Sequence, residues 1–269
     1  MSGPAWESVR GVLLDLDDTL IEEEPFARAQ LRATADLIPG VDALSWDDVV
    51  IESARSLWRT SAYYPEFLAL GFASWEGLWA TFDGVHPRLE GLTDWAPTYR
   101  RAAWRTALDV VDHDRGPDSP ADGRGDDLVD KLVERYIEGQ RSGHPVLPGA
   151  VELVARLAQA MPVALVTNGP PDIQRLKIDQ AEIGAYLSAV VISGETGIGK
   201  PDPAAFGRAL ELLDASPEHA VMIGDSWERD VVGALGAGMR AVWISHGRTP
   251  RFSDSRVSVA QGPHDVGLP

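Results

Sequence analysis

Three carboxylates close an apolar run in the stretch VLLDLDDTL, Val12 to Leu20: Asp15, Asp17 and Asp18. Carboxylates this close repel. At an effective dielectric of ~20, two unit charges ~4 Å apart cost about 4 kcal/mol. Either the side chains splay into water or a cation offsets the repulsion. Polar groups also follow four other short apolar runs: Thr167-Asn168-Gly169, Gly199-Lys200-Pro201-Asp202-Pro203, Gly224-Asp225-Ser226 with Asp230 one helical turn on, and Ser245-His246-Gly247. Asp15, Asp17 and Asp225 are hard oxygen donors with no His or Cys nearby in sequence, a set that suits Mg²⁺ over zinc or copper. Lys200 adds a second positive charge; Lys131 and Lys177 are the chain's other lysines. Thr167 and Asn168 precede Pro170-Pro171 and the start of a helix, where free backbone N–H groups can hold an anion. Two cations, a helix N-terminus and an extra carboxylate suit phosphoryl transfer.

These groups need elements to bring them together. Val9–Asp15 reads as a β-rich strand. From about His144 onward, helix and strand alternate. The expected helices are Gly149–Ala160, Pro171–Gln180, Pro203–Leu213 and Glu228–Ala237. The expected strands are Val163–Val166, Ala189–Ile192, Ala220–Ile223 and Ala241–Ile244. Pro171 and Pro203 each stand where a helix should start. Short, nearly uninterrupted apolar strands between helices predict a parallel sheet covered on both faces. The fold class is therefore α/β, a doubly wound sheet of five parallel strands. In such sheets ligands bind beyond the carboxyl ends of the strands, where the polar groups above lie.

Between the first strand and the rest, residues 22–141 read as helical. Trp46, Val49, Val50, Ala54, Leu57 and Trp58 recur at helical spacing, as do Trp95, Tyr99, Ala103, Thr106 and Val110. Leu128, Val129, Leu132, Val133, Tyr136 and Ile137 repeat the pattern. A Gly/Pro/Asp-rich loop, His113–Asp127, is expected to interrupt this bundle as a mobile connector. The tail after Pro250 has little periodicity and is expected to be partly disordered. The division predicted is an α/β core of residues 1–20 and 145–269, with a helical insertion of 21–144.

The chain has 269 residues and a net charge of −17. So acidic a surface repels nucleic acid and anionic membranes without a local basic patch, and none is visible. The expected partner is a small molecule, with neither nucleic acid nor membrane involved. No apolar run approaches the ~18–20 residues of a membrane span. The N-terminus, MSGPAWESVRG, has no signal-peptide pattern. Cysteine is absent, which excludes disulfides and thiolate metal sites. These features suit the cytoplasm. Oligomeric state is not readable.

Asp15-x-Asp17-x-Thr19, Thr167, Lys200 and Gly224-Asp225-x-x-x-x-Asp230, in this order and separation, resemble the four motifs of the haloacid dehalogenase superfamily. The resemblance implies a Rossmann-like core, and the helical insertion looks like that family's C1 cap. About thirty residues separate Thr167 from Lys200, too few for a cap at the alternative position. The stretch GDSWERDVVGALGAGM, Gly224 to Met239, is similar to the phosphatase branch that contains N-acylneuraminate-9-phosphatase and small nucleotidases.

The resemblance implies roles. Asp15 would be the nucleophile that forms an aspartyl-phosphate, where the plain alternative is a helix N-cap. Asp17 would be the general acid and then the base, and its backbone carbonyl would bind Mg²⁺. Thr167, Asn168 and Lys200 would hold the phosphate. Asp15, Asp17 and Asp225 would bind the metal, and Asp230 would support by orienting Lys200 or a metal-bound water. Asp18 starts the following turn and Thr19 closes it. An alkoxide leaving group needs a proton and a halide does not, so Asp17 points to phosphate esters over organohalides. The expected activity is Mg²⁺-dependent hydrolysis of a small phosphorylated metabolite. A phosphomutase shares every motif; a dehalogenase and a non-catalytic binding protein are further alternatives. The tryptophans of the insertion, Trp46, Trp58, Trp75, Trp79, Trp95 and Trp104, read as bundle core rather than as a substrate pocket. Tyr63-Tyr64-Pro65 and Glu22-Glu23-Glu24 are candidates for substrate contact. His246 and Arg248 read as surface residues at the sheet edge.

Overall fold

The structure is a computed structural model and describes residues 6–115 and 125–267. Strand β1, Gly11–Leu14, is buried along its whole length, as an uninterrupted apolar run requires. It is followed by five helices: α1 (Glu24–Ala33), α2 (Ala43–Thr60), α3 (Tyr64–Leu70), α4 (Leu92–Arg115) and α5 (Asp126–Arg141). The alternating part runs α6 (Ala150–Ala160), β2 (Val163–Thr167), α7 (Pro171–Gln180), β3 (Ala189–Ile192), the single turn α8 (Ser193–Thr196), α9 (Pro203–Leu213) and β4 (Ala220–Gly224). A π-helical turn, Trp227–Val232, leads into α10 (Gly233–Gly236), β5 (Arg240–Ile244) and β6 (Val257–Ala260).

The sheet is parallel throughout, with strand order β3-β2-β1-β4-β5-β6. The doubly wound α/β class is as the sequence implied, with six strands in place of five. The sixth falls in the tail expected to be irregular. Val257–Ala260 pairs with β5 through Ala241↔Val257 to Ile244↔Ala260. It is short, and three of its four residues are half-buried, so it lacks the long apolar run that marks an inner strand. The chain winds outward from β1 to β2 and β3, then returns to place β4 on the other side of β1. The strand order therefore reverses between β1 and β4, the place where such sheets open a crevice.

Alternate residues of the strands feed the two faces. Val12, Leu14, Leu165, Ile223 and Ile244 pack with Leu153, Val154 and Leu157 of α6. Leu13, Val166, Met222 and Trp243 pack with Phe206, Ala209 and Leu210 of α9. The helices after β1 carry a third apolar cluster, built on Trp46, Trp58, Phe67, Trp79, Trp104 and Tyr136. The tryptophans thus form the bundle core, with Trp75 and Trp95 only partly buried against it. The long helical region is not continuous. Residues 71–91 are turns and single 3₁₀ turns, and α4 starts only at Leu92. Helix α4 runs to Arg115 and α5 begins at Asp126, so the loop expected at His113–Asp127 keeps helix at its first residues. Its residues 116–124 lie outside the described residues. The expected helix Glu228–Ala237 opens as a π turn because Val231 N–H reaches back five residues to the Ser226 carbonyl at 3.3 Å.

The two chain crossings between the sheet and the helical insertion run side by side. Ile21 bridges Val146 antiparallel, Glu22 N–H donates to the Pro145 carbonyl at 2.8 Å, and Leu147 N–H donates to the Leu20 carbonyl at 2.9 Å. Among the described residues, no helix is long and apolar enough to cross a membrane.

Candidate active site

A cleft of about 390 Å³ opens at the carboxyl ends of β1 and β4. Its floor holds Asp15, Asp17, Asp18, Asn168, Lys200, Asp225 and Asp230; Gly71, Glu23, Glu24, Trp75 and Glu76 of the insertion form the facing wall. Asp15 follows β1 directly and is 7% exposed. Its Oδ1 lies 2.6 Å from Lys200 Nζ, and its Oδ2 accepts from Thr19 Oγ1 at 3.2 Å. Thr19 Oγ1 in turn accepts from the Asp225 backbone N–H at 2.9 Å. Thr19 therefore closes more than its own turn; it ties the end of β1 to the end of β4.

Lys200 is held at both ends. Its Nζ also reaches Asp230 Oδ1 at 2.6 Å, while Asp230 Oδ2 accepts from Ser226 N–H at 2.9 Å. Gly224 leaves room for that carboxylate, since a Cβ there would overlap it. Its backbone is gripped by Asn168: Nδ2 donates to the Lys200 carbonyl at 2.8 Å and Oδ1 accepts from the Lys200 N–H at 2.9 Å. The Asn168 side chain thus positions Lys200. Gly71 of the insertion, at φ +69°, sits so close to this amide that a Cβ would strike it.

Asp15, Asp225 and Asp230 bring carboxylate oxygens within 4.8 Å of one another. Burial pushes the Asp15 carboxyl up; Asp230, Asp225 and Asp17 add to this and Lys200 opposes it. Asp225 rises to about 6 through burial and the charges of Asp230 and Asp18, with Arg248 opposing. Burial works against the charge on Lys200, but Asp15 and Asp230 outweigh it and hold its pKa above the usual lysine range. Three clustered carboxylates and one ammonium leave a local excess of negative charge. The donor set, all oxygen and without sulfur or imidazole, fits a hard divalent cation.

Asp17 stands apart from that cluster. Its Oδ2 accepts from Gln174 Nε2 at 2.7 Å and its Oδ1 meets Lys177 Nζ at 2.9 Å. Of the expected metal set, Asp15 and Asp225 are brought together by their side chains; the Asp17 carboxylate is turned to α7. Thr167 is 1% exposed, does not line the cleft, and accepts from Gln174 Nε2 at 3.1 Å. The N-terminus of α7 carries its own acid: Asp172 Oδ2 accepts from the Thr81 backbone N–H at 2.7 Å. Asp18, at φ +53°, accepts from Glu23 N–H at 2.9 Å and so caps the start of α1. His246 and Arg248 are exposed, as expected for surface residues, yet both turn to the site. His246 Nε2 lies 2.7 Å from the Asp18 carbonyl, and Arg248 Nη2 is 3.1 Å from Asp225 Oδ2.

A second charged cluster was not foreseen. Lys177 is buried, and besides Asp17 it faces Glu23 Oε2 at 2.6 Å. Glu23 Oε2 is 3.2 Å from His144 Nε2. Burial would raise Glu23, but Lys177 and His144 outweigh it and hold it at about 2. Glu76, buried nearby, is pushed up to about 8 by burial, with Asp17 and Glu23 adding and Lys177 opposing. Of Glu22-Glu23-Glu24, then, Glu23 is the one built into this charged cluster, while Glu24 also lines the cleft. The available signal was Lys177 itself, one of three lysines in an arginine-rich chain.

The pattern of the haloacid dehalogenase-like hydrolases matches residues 9–238. The chain belongs to that family. It is 37% identical over 252 residues to the phosphoserine phosphatase of Thermus thermophilus, covering 93% of this chain and 94% of that protein. It is 38% identical over 251 residues to N-acylneuraminate-9-phosphatase of Mus musculus, covering 91% and 86%. Its fold is similar to the magnesium-bound HAD-hydrolase YfnB of Bacillus subtilis, with a TM-score of 0.62 at 20% identity, covering 97% of this chain and 99% of that one. Family membership makes the chain a hydrolase, and its full-length phosphatase relatives support phosphoric monoester hydrolysis.

Proposed function

We propose that the chain is a Mg²⁺-dependent phosphatase that cleaves a small phosphate monoester through an aspartyl-phosphate on Asp15. The observation that carries this reading is the separation of two carboxylates two residues apart. Asp15 is buried among Lys200, Thr19 and the acidic cluster, while Asp17 is held on different donors. Two environments allow two roles.

In the first step an Asp15 carboxylate oxygen attacks phosphorus. The bond to the ester oxygen breaks, and that oxygen takes the proton of the Asp17 carboxyl. In the second step water attacks the same phosphorus and gives its proton to the Asp17 carboxylate. The bond to Asp15 breaks, inorganic phosphate leaves, and both aspartates return to their starting forms. Lys200 offsets charge on the phosphoryl oxygens, its backbone held by the Asn168 side chain, while Thr167 acts through Gln174 rather than from the cleft. Asp230 keeps Lys200 in place. Asp15, Asp225 and the Asp17 carbonyl are the groups that would hold Mg²⁺, which when bound neutralises phosphate charge. Residues 21–144 act as a cap on a core of 1–20 and 145–269, with hinges at Leu20–Pro25 and Arg141–Pro148, and exclude water during the first step. A cytoplasmic setting is part of this reading, in keeping with a cysteine-free chain.

The test is phosphate release from a panel of monoesters, headed by phosphoserine and N-acylneuraminate 9-phosphate because the relatives are named for them. Release that requires both Mg²⁺ and Asp15, and that drops by roughly 10⁴-fold or more in Asp15→Asn, is expected. A folded wild type that releases no phosphate from any ester would remove the reading.

A further inference from the structure

Helix α7 offers Asp17 two side chains from one face, three residues apart. Gln174 and Lys177 are 0% and 1% exposed. Both end on Asp17, one on each carboxylate oxygen, at 2.7 and 2.9 Å. Gln174 is itself fixed, because its Nε2 also meets Thr167 Oγ1 at 3.1 Å and the Asn168 carbonyl at 2.7 Å. Lys177 is fixed on its far side by Glu23, 2.6 Å away, and Glu23 is fixed by His144 at 3.2 Å. Glu23 and His144 adjoin the two chain crossings. A buried lysine is costly to desolvate, and a fold keeps one where its charge has definite partners.

We propose that Lys177 and Gln174 are positioning residues that set the orientation of the Asp17 carboxyl group for proton delivery to the leaving group. The proposal rests on the phosphatase reading. Delivery of the proton leaves negative charge on Asp17, between an ammonium and an amide N–H already in place. Stabilisation placed where charge develops acts on the transition state and costs no rearrangement at the moment of reaction. Lys177 also links that orientation to the insertion, since its other partner, Glu23, stands two residues beyond Ile21 of the first crossing, at the head of α1.

The leaving group supplies the test. A p-nitrophenolate departs without a proton, whereas an aliphatic alkoxide does not. The quantity kcat/KM covers only the steps through formation of the phosphoenzyme, so the later role of Asp17 as base does not enter. Lys177→Met and Gln174→Met, in the full chain with Mg²⁺, are assayed on p-nitrophenyl phosphate and on the best aliphatic monoester of the panel. In each folded variant, kcat/KM for the aliphatic ester should fall at least tenfold further than for p-nitrophenyl phosphate. General acid catalysis is worth about 10²–10⁴-fold, which leaves room for such a gap. A purely structural role would lower both esters by one factor, and that result, or no loss on either, overturns the proposal. Gln174→Met removes no charge and decides the question alone if Lys177→Met does not fold. An inactive wild type would instead overturn the phosphatase reading, and this proposal with it.

Discussion

The molecule buries two lysines among carboxylates, and they are used differently. Lys200 sits at the end of a strand-following turn, between Asp15 and Asp230, with all partners in the α/β part of the chain. Lys177 sits in the middle of a helix and joins Asp17 after β1 to Glu23 at the head of α1. In the proposed mechanism the first charge belongs to the reacting centre. The second spans the sheet and the helical insertion. Both stay protonated because nearby carboxylates outweigh the cost of burial. The lesson is that charge compensation can serve chemistry in one place and hold two parts of a structure in register in another.

Removing each charge should separate these uses. Lys177→Met leaves the buried Glu23 carboxylate without its ammonium partner, and unfolding free energy should drop by about 3–5 kcal/mol in urea titrations. Mg²⁺ should not restore it. Lys200→Met should lose some stability too, but Mg²⁺ should recover part of it, because the cation replaces positive charge beside Asp15 and Asp225. Its larger signature is a fall of about 10²–10³-fold in kcat on activated and unactivated esters alike. Equal recovery of both variants by Mg²⁺ would erase the distinction.

Protonation sharpens the comparison inside the Lys177 cluster. Glu23 lies at about 2 against an ordinary 4.5, so its contribution is complete above pH 4.5 and lost as pH falls toward 2. The amount is about 3 kcal/mol. Glu76 lies at about 8, so the neutral carboxyl is the favoured buried form, and stability declines as pH rises from 4.5 to 8. Urea midpoints across this range should show a flatter acid limb in Glu23→Gln and a flatter neutral limb in Glu76→Gln. Parallel curves for wild type and variants would show that neither group is displaced. The smallest effect expected is at Arg248, half exposed beside Asp225. Its pairing is worth about 0–1 kcal/mol, so Arg248→Ala should lower the Mg²⁺ concentration for half-maximal activity by less than about fivefold.

The same contrast explains what could be read in advance. Asp15, Asp225 and Lys200 were legible because each follows a short apolar run, and a parallel sheet puts the ends of such runs on one edge. Strands β1 to β5 were legible for the same reason, whereas β6 is a half-buried edge strand with only a weak pattern. Lys177 and Gln174 were not legible as site residues. In PDIQRLKIDQ they look like the solvent face of an ordinary helix, and only their contacts with Asp17, in the turn after β1, show that they face inward. The Asn168 amide was read as a phosphate ligand on its own account, but local sequence does not show that its two polar atoms are both spent on the Lys200 backbone. Arg248 was read as a surface residue and is one, yet its guanidinium has the reach to meet Asp225 from the rim.

The paired crossings at Ile21 and Val146 have one more consequence. A helical module that leaves and re-enters through a single antiparallel bridge presents attachment points only about 5 Å apart. That is a socket. A foreign helical hairpin with matching ends could be grafted there without disturbing the register of the sheet, and new selectivity could be acquired by wholesale exchange rather than residue by residue. The graft would carry one obligation, a carboxylate in the place of Glu23 to meet Lys177.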